Sequence, residues 1–167
     1  MKIAIDVHYR SETTKTVAVL FDDWVDSEAK QFLVKYTGKA DDYVPGEFYR
    51  RELPCLLNVL KEVDVETIDC IIIDGFVYLG DQQEPGLGAY LFQKLEEKIP
   101  VIGVAKSNFL KNKKSSVELL RGDSTKPLYV TADGISLDEA AQNIAKMEGK
   151  FRMPTLLQQL DTKTKEP

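Results

Sequence analysis

Three acidic residues occupy positions where an isolated carboxylate is difficult to explain. Asp6 interrupts an apolar run, Glu52 lies between an aromatic-rich loop and a predicted helix, and Asp74 ends another apolar run. A buried carboxylate without a partner is costly or loses its charge, so such groups usually have partners. Converging carboxylates form an oxygen-ligand site suited to Mg²⁺ or Mn²⁺. These ions promote phosphodiester hydrolysis by activating water and stabilising the leaving oxygen.

Each acid also has a simpler explanation. The pair Asp74-Gly75 is typical of a turn. Asp6 could pair with a nearby lysine, and Glu52 could favour a helix N-terminus through the helix dipole. The residues alone therefore leave both a metal site and three unrelated structural roles open.

The first part of the chain predicts a three-stranded antiparallel meander. Lys2–Tyr9 alternates apolar and polar residues with period two, which indicates a strand. Thr16–Phe21 predicts a second strand after a polar turn, and Gln31–Tyr36 a third. Asp6 would then project from the middle of the first strand.

The segment after Gly38 is irregular until Pro54. Proline is disfavoured inside a helix but suits its first position, so the helix is predicted to begin at Pro54. Glu52 would lie just before this helix and be held by backbone on both sides. The predicted apolar face of the helix consists of Leu56, Leu57, Leu60 and Val63.

The central segment predicts parallel strands. Thr67–Asp74 is a nearly continuous apolar run, typical of a strand buried on both faces. A helix striped by Leu87, Leu91 and Leu95 and ending near Lys98 connects it to a second buried strand, Val101–Ala105. Strands joined by such a crossover helix are parallel. If the Asp74 strand also neighbours the first strand, Asp6 and Asp74 lie side by side.

The last part of the chain predicts a hairpin and a helix. Val117–Leu120 and Leu128–Val130 form the hairpin, and Ser136–Glu139 is a capping box that opens the last helix. Residues 1–160 are predicted to form one α/β domain, and residues 161–167 a polar, frayed tail. A meander followed by βαβ units gives one mixed sheet with helices on its faces, the order of the ribonuclease H-like fold.

Composition excludes several classes of protein. The 167 residues carry a net charge of −5, which argues against a sequence-independent nucleic-acid coat. Bound cations would reverse the sign of the local charge at a carboxylate cluster, so the acidic net charge is compatible with a metal-dependent nuclease. The two cysteines fall in apolar runs and predict reduced core thiols. Nothing in the sequence predicts a signal peptide or a membrane span, which favours a cytoplasmic protein without a membrane partner.

Six segments in order resemble the endonuclease V family, metal-dependent nucleases that nick nucleic acid near deaminated purines. They are IAIDVHY, YVPGEFYRRELP, IIIDG, IGVAKS, KPLYVTADGISLDEA and FRMP. The resemblance implies that Asp6, Glu52 and Asp74 bind Mg²⁺ or Mn²⁺ and that Lys106 is the active-site lysine. It also implies that DNA or RNA is the partner, and a role in DNA repair.

The resemblance assigns a function to the loop before the first helix. Tyr43, Val44, Pro45 and Gly46 match the family's wedge, which separates bases near the lesion. A rigid aromatic and a proline at a loop tip suit this task. The alternative is an aromatic packed against its own domain.

Two segments depart from the family pattern. LGDQQEPG at residues 79–86 stands where the family has a His-Pro-Arg stretch, and residues 131–134 replace Gly-His-Arg and its active-site histidine. Asp133 could face a metal there or be a turn residue. The only histidine, His8, could line the pocket or be structural.

Two hypotheses follow. The first is a Mg²⁺-dependent endonuclease, with deoxyinosine as one candidate target. The second is a catalytically impaired relative that binds nucleic acid or a protein. The three acids and Lys106 favour the enzyme, whereas the altered segments and the acidic net charge favour the binding module.

Overall fold

The fold is a mixed sheet with helices on both faces, described by a computed structural model for residues 1–42, 44–45, 47–108 and 113–167. Within these ranges the sheet has seven strands: β1 (Lys2–Tyr9), β2 (Thr13–Phe21), β3 (Gln31–Gly38), β4 (Cys70–Asp74), β5 (Val101–Ala105), β6 (Val117–Leu119) and β7 (Leu128–Asp133). The same ranges contain four α-helices: α1 (Phe48–Leu60), α2 (Leu87–Lys94), α3 (Leu137–Lys146) and α4 (Thr155–Lys165).

The strand order is β3-β2-β1-β4-β5-β7-β6. The β1–β4 and β4–β5 pairs are parallel, and the other neighbours are antiparallel. The meander, the parallel β4–α2–β5 unit and the late hairpin are therefore confirmed. The central position of β4 explains its continuous apolar run, because a strand covered on both faces has no polar side.

Helices cover the two faces of the sheet separately. On one face α1 and α2 pack against odd-numbered residues of β1 and β4, such as Ile5 and Ile73. On the other face α3 and α4 pack against even-numbered residues, such as Ala4 and Ile72. This division follows from the two-residue side-chain period of a strand. In the described part of the chain, no helix is long and apolar enough to span a bilayer.

The prediction that the first helix begins at Pro54 is wrong. Helix α1 begins at Phe48, and Pro54 lies inside it. An internal proline costs a helix about 3 kcal/mol, because it has no N–H to donate and clashes with the preceding turn. Burial of Leu53, Leu56 and Leu60 against the sheet, about 1.5–3 kcal/mol for each leucine, offsets that cost.

The predicted polar tail is instead part of a helix. Helix α4 runs through Lys165, and its buried residues are Leu156, Leu157, Leu160 and Thr164. They form one stripe that packs against β1 and β2. Lys15 of β2 is itself buried and donates hydrogen bonds to the carbonyls of Lys163 (2.6 Å) and Glu166 (2.9 Å). A cation at this end complements the helix dipole and satisfies carbonyls that lack intrahelical partners.

Candidate functional site

Asp6 and Asp74 lie side by side, as the sequence predicts. Strands β1 and β4 are parallel neighbours, and their register pairs Ile5 with Ile73. One residue further along each strand are Asp6 and Asp74, both on the sheet face that α3 and α4 cover. Two carboxylates are thus brought together where β4 ends beside the middle of β1.

The turn after Asp74 depends on two glycines. Gly75 has a φ of +133°, a conformation that residues with a side chain rarely adopt, and its N–H donates to the Val104 carbonyl at 3.1 Å. A Cβ on Gly103 of β5 would lie 2.5 Å from the Gly75 carbonyl oxygen. The absence of a side chain at Gly103 therefore lets this turn approach β5 closely. Both glycines hold the end of β4, and with it Asp74, in place.

An open cleft of about 340 Å³ lies over the two aspartates. Strands β1, β4 and β5 form its floor, and α4 with the segment before it forms one wall. Its lining combines apolar groups with three aspartates and one lysine: Ala4, Ile5, Asp6, Ile72, Ile73, Asp74, Val104, Lys106, Met153, Leu157, Leu160 and Asp161. The cleft therefore combines a group of carboxylates with one cation.

Lys106 reaches this cleft directly after β5 and meets an acid that sequence analysis missed. Its Nζ lies 3.8 Å from Asp161 Oδ1 on α4, and Asp161 Oδ2 forms a second ion pair with Lys165 Nζ at 2.9 Å. Asp161 was assigned to the polar tail. The spacing of Leu156, Leu157 and Leu160 after a proline was the signal that could have identified α4.

The pKa of Asp6 is raised to about 7, and the main cause is burial of its carboxyl. The neighbouring charge of Asp74 raises this pKa further, while the backbone N–H of Val7, a donor to Asp6 Oδ1 at 2.9 Å, and Lys106 oppose the shift. The pKa of Asp74 is also raised, again mainly by burial, and Lys106 lowers it in part. Both shifts show that negative charge in this cleft is poorly compensated by the protein itself.

Glu52 approaches the aspartates from the helix on the other face of the sheet. It lies within α1, not before it, and its side chain is buried. Burial raises its pKa well above the usual range, and Asp6 and Asp74 raise it further, which places their charges within electrostatic reach. Arg51, whose guanidinium lies 3.5 Å from the centre of the Tyr9 ring, partly offsets this shift.

The donor atoms of the site suit a hard divalent cation. They are carboxylate oxygens, the ligands that Mg²⁺ and Mn²⁺ prefer. Glu52 Oε2 is buried and makes no hydrogen bond of normal geometry among the described residues; the Tyr9 hydroxyl lowers the pKa of this carboxyl only in part, and a cation would relieve the remaining cost. Within the same described ranges, no three His, Cys, Asp or Glu side chains converge closely enough to hold one ion. The chemistry of the donors thus fits a metal, and the assignment of Asp6, Glu52 and Asp74 as its ligands stays a prediction.

Asp133 does not join this site. The register pairs Asp133 with Val101, the first residue of β5, whereas Asp74 pairs with Val104 near the other end of that strand. Its Oδ2 accepts a short hydrogen bond from the Tyr78 hydroxyl, and its Oδ1 accepts from the Gly134 N–H at 2.9 Å. Of its two predicted roles, the structure supports the turn residue.

His8 lies two residues after Asp6 in the chain, and the wedge segment lies just before α1. His8 follows Asp6 on the same face of β1, is half-buried and pairs across the sheet with Lys15. In the wedge segment, Val44 and Pro45 are exposed, and the Val44 carbonyl accepts from the Glu47 N–H at 2.9 Å. The wedge roles predicted for Tyr43 and Gly46 fall on residues outside the described part of the chain.

Comparison with known proteins agrees with this architecture. A sequence profile of the Endonuclease V family matches residues 3–162. Endonuclease V of Trichormus variabilis is 27% identical over 170 residues, which cover 90% of this chain and 75% of that protein.

Solved structures show the same fold. A Ciona intestinalis endonuclease V, in complex with a 24mer DNA containing an inosine followed by a ribo-adenosine, superposes with a TM-score of 0.79 at 18% identity, over 98% of this chain and 83% of that chain. Human ENDOV superposes with a TM-score of 0.75 at 20% identity, over 98% of this chain and 82% of that chain. The ribonuclease H-like fold predicted from the sequence is confirmed. The profile match spans nearly the whole length, and the chain therefore belongs to the endonuclease V family of nucleases.

Proposed function

We propose that this protein is a metal-dependent endonuclease that hydrolyses phosphodiester bonds of DNA or RNA near deaminated purines. The observation that carries the proposal is the pair of neighbouring aspartates with raised pKa values, the half-buried Asp6 and the exposed Asp74, in an open cleft with Lys106 beside them. Family membership supports the reaction class. The inosine-containing DNA bound by the Ciona relative supports deoxyinosine as the lesion to test first.

Asp6, Glu52 and Asp74 would hold the ion, because all three are carboxylates that protein groups leave undercompensated. A bound Mg²⁺ or Mn²⁺ would activate water and stabilise the leaving oxygen. Lys106 would neutralise negative charge that develops on the phosphate in the transition state. Asp161 keeps the Lys106 ammonium in the cleft through their 3.8 Å ion pair.

A catalytically silent relative that binds nucleic acid is the second candidate. It is favoured by residues 131–134, which lack the histidine expected from the resemblance and place Asp133 away from the cleft. The two candidates differ in one measurable respect, because only the enzyme cuts a strand when metal is present.

The test incubates the protein with inosine-containing and plain oligonucleotides. Both DNA and RNA oligonucleotides are used, each in single- and double-stranded form. Each reaction contains Mg²⁺, Mn²⁺ or a chelator. We expect cleavage that requires the metal and that Asp74→Asn abolishes, because this change removes a ligand charge and keeps the shape. Lys106→Ala should lower kcat but leave Mn²⁺ affinity nearly unchanged, because Lys106 acts on transition-state charge.

The matched control is Asp69→Asn, which alters an exposed aspartate at the other end of the same strand segment. This variant should cleave like the wild type. If no substrate is cut while wild type and Asp74→Asn bind nucleic acid equally well, the binding module is the correct description. Equal loss of cleavage in Asp69→Asn and Asp74→Asn would indicate a general folding defect and remove the support for a site at Asp74.

A further inference from the structure

We propose that Phe151 is a base-stacking residue at the rim of the acid cleft, on which one base of the bound strand rests. This inference builds on the proposed nuclease function and adds a nucleic-acid contact separate from the wedge segment. Phe151 is 77% exposed, the highest value among the large hydrophobic residues that the structure describes as exposed. An aromatic ring offers every base a stacking surface, irrespective of sequence.

The backbone that carries Phe151 is held rigidly. The buried Arg121 guanidinium donates to the carbonyls of Phe151 (2.7 Å), Arg152 (3.3 Å), Met147 (2.6 Å) and Gly149 (3.4 Å). Gly122, with a φ of +60°, lets its own segment approach Lys150 so closely that a Cβ would lie 2.2 Å from the Lys150 carbonyl oxygen. A ring presented by such an anchored loop loses little conformational freedom when a ligand binds.

The same loop is attached to the cleft. Arg152 donates to the carbonyl of Lys106 at 2.5 Å and to that of Pro127 at 2.6 Å. Lys106 and Met153 both line the cleft. Because two residues of chain span at most about 7 Å, Phe151 is within one nucleotide's reach of the cleft wall.

The surroundings of Phe151 favour a nucleic-acid strand over a protein partner. The exposed Leu120 precedes Arg121 and adds apolar surface. Lys126 and Lys150 contribute exposed positive charge that complements phosphates, beside two exposed acids, Asp123 and Glu148. A protein interface usually needs about 20–30 residues on each side, whereas one aromatic ring suffices for a base.

The position of Phe151 also complements that of the wedge segment. Val44 and Pro45 precede α1, which covers one face of the sheet, and Phe151 precedes α4, which covers the other face. Helix α4 also brings Asp161 into the lining of the cleft. A base stacked on Phe151 would therefore contact the domain at a place distinct from the wedge segment.

The test measures binding without cleavage, in the Asp74→Asn background. Fluorescence anisotropy gives Kd for labelled single-stranded and duplex oligonucleotides. We expect Phe151→Ala and Phe151→Leu to weaken binding roughly tenfold or more and Phe151→Tyr to keep it, because only tyrosine retains a ring that stacks. The slope of log Kd against log salt should stay the same, because no phosphate contact is removed.

A second readout reports stacking directly. With 2-aminopurine placed at successive positions, one position should show fluorescence quenching with the wild-type residue at 151 and recovery in Phe151→Ala. The matched control is Val25→Ala, which removes an exposed apolar side chain (57%) from the loop after β2. This control should change neither Kd nor quenching. Unchanged melting temperatures of the Phe151 variants show that the fold is intact.

The outcomes separate this inference from the proposed function. If the wild type cuts its substrate and Phe151→Ala binds with unchanged Kd, the stacking inference fails while the nuclease stands. If Phe151→Leu binds as well as Phe151→Tyr, or if Phe151→Ala converts a dimer to a monomer, the residue has another role and the inference also fails. A wild type that neither binds nor cuts any oligonucleotide overturns both proposals.

Discussion

The half-buried carboxyl of Asp6 makes the stability of the metal-free protein depend on pH in a measurable direction. Its pKa rises from 3.8 to about 7 on folding, mainly because burial disfavours the charged form. A raised folded pKa means that the favourable contribution of the protonated group is fully present below pH of about 4. That contribution is lost as the pH rises through about 7. We therefore expect the Asp6→Asn variant, which mimics the protonated form, to be more stable than the wild type at pH 8.

The size of the expected stabilisation follows from the pKa shift of Asp6. Each pKa unit corresponds to about 1.4 kcal/mol, so a shift of about three units gives an upper limit of about 4 kcal/mol. We expect about 2–4 kcal/mol, because Asp74 titrates in the same cleft and shares part of the repulsion. For a chain of this length that gain corresponds to a rise in melting temperature of roughly 5–15 °C. Near pH 4 the two proteins should unfold at nearly the same temperature.

The assay is urea and thermal unfolding of both proteins from pH 4 to pH 8.5 in the presence of a chelator. Mg²⁺ or Mn²⁺ at pH 8 should then raise the melting temperature of the wild type more than that of Asp6→Asn, because the ion binds only the assembled site. The control is Asp41→Asn, which changes an exposed aspartate, and its stability should equal that of the wild type at every pH. If Asp6→Asn is no more stable than the wild type at pH 8 without metal, the buried-carboxylate argument is refuted.

Three further changes test the framework around the site. Lys15→Met should destabilise the protein by about 1–3 kcal/mol in urea unfolding, because carbonyls at the end of α4 lose a charged donor; an unchanged midpoint would show that Lys15 does not stabilise α4. Arg121→Leu should cost about 2–4 kcal/mol and increase proteolysis of the loop before α4, because several buried carbonyls lose their donor. Equal cleavage rates in wild type and variant would contradict the anchoring role. Pro54→Ala should stabilise the protein by about 1–3 kcal/mol, because it supplies an N–H inside α1; a loss of stability would mean that the proline ring contributes more by packing than it costs.

Local patterns determined the strands and their acids. The bounds of β1 and β5 were predicted as the structure has them, and β4 ends at Asp74 as expected. Period-two alternation and continuous apolar runs reflect burial on one or both faces of a sheet. The neighbouring positions of Asp6 and Asp74 follow from strand order and could be predicted before any coordinates were known.

Tertiary packing decided where the helices begin and end. Pro54 predicts a helix start when only local preference is considered, but burial of the α1 leucines against the sheet extends the helix back to Phe48. Helix α4 is similarly stabilised by contacts distant in sequence, since Lys15 caps carbonyls that lie about 150 residues later in the chain. Neither effect is visible in a short window of sequence.

The residues of the site also divide into those that local sequence identifies and those that tertiary packing decides. The sequence by itself determined that Asp6 interrupts one apolar strand, that Asp74 ends another and that Lys106 follows a third, because these positions are set by the residues next to them. Only the tertiary structure decided that Asp161 faces the cleft and that Asp133 does not. The physical reason is that convergence depends on the helix face and strand register, and both are selected by burial across the whole domain.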